Sequence, residues 1–166
     1  MYRLLFTLCL VTAGLSAQEL SLPEVTYVTP SDYLDQQAKV TEAIDYLQHS
    51  PANVDQELRE RAAAFIITWL EGTPTVTVDL GPIVTPFMSY GESLIIFLGG
   101  YTKYTLQAGE HPDPLLANLA GTERVIEYYA ANRSIFGDHK ELDKLVRQEE
   151  KGRLRDWVAR ELKRGS

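Results

Sequence analysis

The 166-residue chain has one cysteine, two methionines and three histidines, and no apolar run as long as a membrane helix needs, about 20 residues. Cys9 sits inside the N-terminal apolar run, after Leu8 and a very short lead. A lipid-attachment cysteine follows the apolar core and a small residue, so this is not the pattern of a lipoprotein. If the leader is removed, the remaining chain has no cysteine. Disulfides, thiol catalysis and thiolate metal sites are then excluded, and packing must supply stability.

The histidines are equally uninformative as ligands. His49, His111 and His139 fall at predicted loops or helix starts, with no i, i+4 pair and no carboxylate at zinc-ligand spacing, so neither metal nor cofactor is expected. Also missing are a Gly-x-Ser-x-Gly elbow, a phosphate-binding glycine loop and a dinucleotide fingerprint.

What is present begins with an export signal. Arg3 precedes an apolar run at 4–11, and residues 13–17 are rich in small side chains. This is the order of a signal peptide of bacterial type, with cleavage expected after Ala17 and a periplasmic or extracellular destination. No transmembrane segment is expected in the mature chain. Without Arg3, 15 basic residues face 23 acidic ones, a formal charge of −8. The excess is uneven: residues 151–164 carry +4 and residues 18–150 carry −12. An acidic body argues against nucleic-acid binding, which rests on cationic contacts to phosphate. The basic end, with Arg153, Arg155, Arg160, Lys163 and Arg164, is a local exception that suits an anionic surface. Leu154, Trp157, Val158 and Leu162 favour docking of the same helix on the rest of the protein.

Residues 18–30 read as an extended lead, with a β-branched and aromatic stretch at 25–29. One helix is expected from Ser31 to about His49, its stripe formed by Val40, Ala43, Ile44 and Leu47 with Leu34 leading in. A second should be capped by Ser50 or Asn53 with Pro51 in its first turn. It buries Leu58, Ala62, Phe65, Ile66, Trp69 and Leu70, directs Arg59 outward, and stops at a left-handed Gly72. Ser89 and Glu92 have capping-box spacing before the apolar 94–98, where Gly99-Gly100 points to close approach of another helix. Asp113-Pro114 opens the next helix, whose exit is read at 132–137; Asp138 and Glu141 repeat the capping box, and Gly152 precedes a last amphipathic helix. Asn132-Arg133-Ser134 matches a glycosylation acceptor, a pattern relevant only to a eukaryotic route.

The expected architecture is mainly α: an irregular bundle of about six helices over 31–164, with a β insertion at 73–88. In that insertion Val76, Val78 and Leu80 alternate with Thr75, Thr77 and Asp79, the pattern of a half-buried strand. Two or three strands are therefore expected, at 25–29, 75–80 and, as a third, 83–85. If nothing pairs with 75–80, its edge is open to another chain. Glu71, Thr75, Thr77, Asp79, Tyr90, Tyr101 and Tyr104 are the candidate surface for an unknown protein or a small polar ligand, and Tyr128 and Tyr129 are further candidates for its rim. A non-enzymatic exported binding or assembly module is the principal reading. The alternatives are a hydrolase-type site at 71–80, using Glu71, Asp79 or His111, and envelope association through the basic C-terminal helix.

Overall fold

In the computed structural model, which describes residues 20–165, the apolar helix α4 (Ser93–Ala108) packs against α2 (Gln37–His49), α3 (Gln56–Leu70) and α5 (Pro114–Phe136). The remaining helices are α1 (Pro30–Asp35), α6 (Lys140–Glu150) and α7 (Leu154–Gly165), with a 3-10 turn at Pro82–Val84. The mainly helical expectation holds, with seven helices among the described residues because the chain breaks at Gln36 and separates α1 from α2. Leu34 consequently sits on α1 and is exposed rather than part of the α2 stripe. The expected leader at 1–17 lies outside the described residues. Among the described residues no helix is long and apolar enough to cross a membrane.

The pairing of α4 with α5 explains the glycines. A Cβ on Gly100 would lie 2.8 Å from the Ala120 carbonyl oxygen, and one on Gly121 would lie 2.8 Å from that of Phe97. Only hydrogen fits where the two backbones meet. The pairs Glu92 with Tyr128, Phe97 with Gly121, and Gly100 with Ala120 run in opposite senses, so the helices are antiparallel. On the other side, a Cβ at Gly99 would stand 2.8 Å from Ile44 of α2. Close helix approach is the reason for the Gly99-Gly100 pair.

Arg59, placed on the outer face by the charge pattern, is instead fully buried. It serves the C-terminal end of α2, donating to the carbonyls of Leu47 and Ser50, both at 3.0 Å, and to the Ser50 hydroxyl at 2.7 Å. The last carbonyls of a helix lack intrahelical donors, and a guanidinium supplies several at once. Glu92 neutralises it, accepting from Nε at 3.0 and 3.1 Å and from a terminal nitrogen, and also accepts from Tyr128 at 3.2 Å. Burial pushes the Tyr128 hydroxyl well above the usual phenol range, and the Glu92 charge adds to it. This use of Glu92 removes it from the expected box with Ser89: it is the N-cap of α4 without a side-chain cap bond.

Other helix starts also differ from expectation. Asp55, not Ser50 or Asn53, caps α3, and Pro51 stays outside that helix. His139, not Asp138, caps α6, because Asp138 pairs with Arg133. Helix α5 continues through 132–136 and ends on Gly137, while Asp113 caps its start as expected. Gly72 does not use a left-handed conformation; a Cβ there would meet the Tyr33 hydroxyl at 2.0 Å. Asn132 is buried, donating to the Tyr128 carbonyl at 2.9 Å and accepting from the Ala52 amide at 2.9 Å, so the acceptor tripeptide presents no surface amide.

The β element is not formed: among the described residues there is no strand. The 25–29 stretch is committed elsewhere. Tyr27 stacks on Tyr33 with centroids 4.4 Å apart, and Asp32 accepts from the Val28 and Thr29 amides at 2.8 and 2.7 Å. Pro82 at the first position draws Ile83 and Val84 into the 3-10 turn, where both are buried. Residues 75–80 thus run without a partner strand.

Candidate functional site

The segment after α3 is held at few points. Trp69 fixes the end of that helix by donating its indole N–H to the Tyr33 carbonyl at 2.8 Å. Beyond it, the Tyr101 hydroxyl donates to the Thr77 carbonyl at 3.0 Å. Between residues 76 and 80 the main chain makes no other hydrogen bond among the described residues. The alternation nonetheless survives without a ladder. Val76 is buried, Val78 half-buried and Leu80 52% exposed, so one side of the segment climbs out of the core, while Thr75, Thr77 and Asp79 are all exposed.

Three depressions border this segment. On the valine side, Val78 and Leu80 join Ile67, Leu70 and Leu98 around an apolar hollow of about 270 Å³, with Glu71 as its charged member. Ile67 is 43% exposed there. At the start of the segment, Thr75 lines an open depression of about 420 Å³ with Gln37, Thr105 and Glu110. The Thr75 hydroxyl is within 2.9 Å of that of Thr73 and accepts from the Gln37 amide at 3.3 Å. A third cavity, about 210 Å³, is bordered by Asp79, the 3-10 turn, Tyr101 and Asn118, and by Glu161 of α7.

The predicted surface residues are therefore divided. Thr75, Thr77, Asp79 and Tyr101 share the segment and its neighbours, and Glu71 faces the apolar hollow. Tyr101 has its hydroxyl pushed above the usual phenol range, by burial first and then by the Asp79 charge. Tyr90 is elsewhere, packed edge-on against Tyr129, Phe136 and His139 at centroid distances of 5.1, 5.4 and 5.3 Å. Tyr104 is half-buried at the core margin. Tyr128 and Tyr129 are buried, the latter donating to Asp143 at 2.8 Å and accepting from the His139 amide at 3.0 Å. A continuous tyrosine rim is not assembled.

Glu71 and Asp79 line different depressions, Glu71 the apolar hollow and Asp79 the third cavity. His111 is an exposed loop residue, and His49 is bonded within its own helix, Nδ1 lying 2.8 Å from the Asp45 carbonyl oxygen. Among the described residues no three His, Cys, Asp or Glu side chains converge as a metal site. At the basic end, Leu154 and Val158 are buried and Trp157 and Leu162 pack on the core, with Gly165 against Pro82. Arg153, Arg155, Arg160, Lys163 and Arg164 lie on the exposed or outer face, and Arg164 is paired with Glu161.

Sequence reading passes over Gln37, Asn118 and Glu161, because each belongs to a helix remote in the chain from the segment it borders. Asn118 had one local sign: an amide among Leu115, Ala117 and Leu119 on a helix that must be buried. Comparison with known protein families, with characterised proteins and with solved structures finds no match to this chain.

Proposed function

We propose that this chain is an exported, non-enzymatic binding module, with residues 1–17 as its signal peptide, and that it captures an extended peptide segment of a partner along residues 76–80. The observation that supports the reading is an unpaired main chain lying beside an apolar hollow. An added strand needs both: main-chain bonds give affinity, and pockets for alternate side chains give selectivity. Val78 and Leu80 are two residues apart and line the same hollow with Ile67, Leu70 and Leu98, so the ligand should carry apolar side chains at i and i+2. Glu71 favours a ligand without acidic residues at that end.

The test is selection of displayed peptides on the chain from Gln18 onward. The expected ligands have apolar residues at alternate positions, slow the amide exchange of Val78 and Leu80, and bind at least about tenfold more weakly to a folded Leu80→Glu variant, the scale of one lost hydrophobic contact. Failure to select any peptide, or selected peptides indifferent to Leu80→Glu and Ile67→Glu, would overturn the proposal.

A further inference from the structure

The opposite side of the same segment carries Asp79 into the cavity of about 210 Å³. The polar groups around it share one property. The Tyr101 hydroxyl has given its proton to the Thr77 carbonyl at 3.0 Å, so its remaining capacity is that of an acceptor. Asn118 is 4% exposed; its amide nitrogen donates to the Pro114 carbonyl at 2.8 Å, and its Oδ1 is buried without a partner. Glu161 accepts from Arg164 at 2.9 and 3.1 Å. Asp79 has no ion pair or hydrogen bond among the described residues, and no lysine or arginine lines the cavity. Four side chains therefore offer acceptors, against one remaining donor, the second N–H of the Asn118 amide. A buried carbonyl left unpaired costs free energy, so a donor-rich guest is favoured there.

We propose that this cavity is a binding site for a primary alkylammonium group, with Asp79 as its counter-ion and Asn118 Oδ1 and Tyr101 Oη as further acceptors. An ammonium has three donors and no acceptor, which matches the wall. Pro82, Ile83, Pro114 and Leu162 supply apolar surface for the methylene stem, as a lysine stem is held on proteins generally. The volume exceeds that of a bare ion. Calcium takes about 6–8 oxygen ligands, often several of them carboxylates, whereas here Asp79 is the one uncommitted carboxylate of the cavity. The group can belong to a free amine or to a lysine side chain of a partner. This inference does not rest on the peptide reading, which concerns the other side of the segment.

The experiment is an NMR titration of the isotopically labelled chain from Gln18 onward with pentylammonium, cadaverine and Nα-acetyl-lysine methylamide, and with pentanol and calcium as controls. Expected are saturable shifts at the amides of Asp79, Tyr101 and Asn118 with the amines and none with pentanol. Affinity should fall by at least about tenfold in Asp79→Asn, the effect of losing one charged hydrogen-bond partner. Tyr101→Phe, checked for an intact fold by circular dichroism, should weaken binding by a smaller factor. Binding of the free amines alone identifies a free-amine site; binding of the capped lysine as well identifies a lysine-capture site. No saturable shift at millimolar amine, equal affinity in Asp79→Asn, or preference for calcium at the same residues would overturn the proposal.

Discussion

Replacing Glu92 by leucine should be among the most damaging single changes in this protein. Arg59 is fully buried, and the Glu92 side chain that balances it is 23% exposed. With the carboxylate gone, the guanidinium keeps its bonds to the Leu47 and Ser50 carbonyls and the Ser50 hydroxyl but has no counter-ion. Removing one partner of a buried pair costs about 3–5 kcal/mol, since an uncompensated charge stays out of water. Loss of the acceptor for Tyr128 falls within the same range. For a chain of this size the expected fall in Tm is on the order of 10 °C. The double variant Arg59→Met/Glu92→Leu removes both charges and should recover part of the loss. It should not recover all of it, because the Leu47 carbonyl loses a buried donor, at about 1–3 kcal/mol. The assay is urea unfolding of the unsubstituted chain, Glu92→Leu, Arg59→Met and the double variant with comparable m-values, which keeps the differences interpretable as stability. A cost below about 1 kcal/mol for Glu92→Leu, or a double variant as unstable as the two single losses added together, would refute the account of a buried, mutually dependent pair.

Two further outcomes follow from the packing and the ionisable groups. Gly121→Ala should lose about 1–3 kcal/mol in the same unfolding assay, because its Cβ would sit 2.7 Å from the Phe97 ring and 2.8 Å from the Phe97 carbonyl; Gly81→Ala, with nothing within 4 Å and no positive φ, should be neutral or stabilising by up to about 1 kcal/mol. Burial holds the hydroxyls of Tyr101 and Tyr128 above the phenol value of 10.0, so their neutral forms belong to the folded state. The stability they contribute is complete below the unfolded pKa of about 10 and is lost as pH rises through the folded values. The urea midpoint should accordingly fall above pH 10, with phenolate absorbance appearing as the protein unfolds; a midpoint unchanged through that range would contradict the assignment.

The stripes of α2 and α3 could be read from the sequence because helical spacing of apolar residues reports which face must leave water. Val40, Ala43, Ile44 and Leu47 are all buried, as are Ala62, Ile66 and Trp69. Local capping was less legible. Ser89-x-x-Glu92 and Asp138-x-x-Glu141 have suitable spacing, but Glu92 and Asp138 are taken by the arginines Arg59 and Arg133, one 33 residues away in the chain. A charged side chain in the sequence looks like solvent-facing polarity until the carbonyls and carboxylate that surround it are known.

The 75–80 segment divides in the same way. Its alternation belongs to the sequence: Val76, Val78 and Leu80 go from buried to half-buried to exposed, while Thr75, Thr77 and Asp79 between them are all exposed. Whether that segment meets a strand belongs to the tertiary structure, because Tyr27 and Asp32 occupy the first candidate partner and Pro82 folds the second into a turn. Tertiary packing alone also brings Asn118 and Glu161 to Asp79 across 39 and 82 positions of chain. The sequence by itself determined which helix faces are apolar, since that depends on neighbours a few residues apart. Only the assembled helices decided which polar groups lose water together, and thus where an incoming chain or cation finds unpaired acceptors.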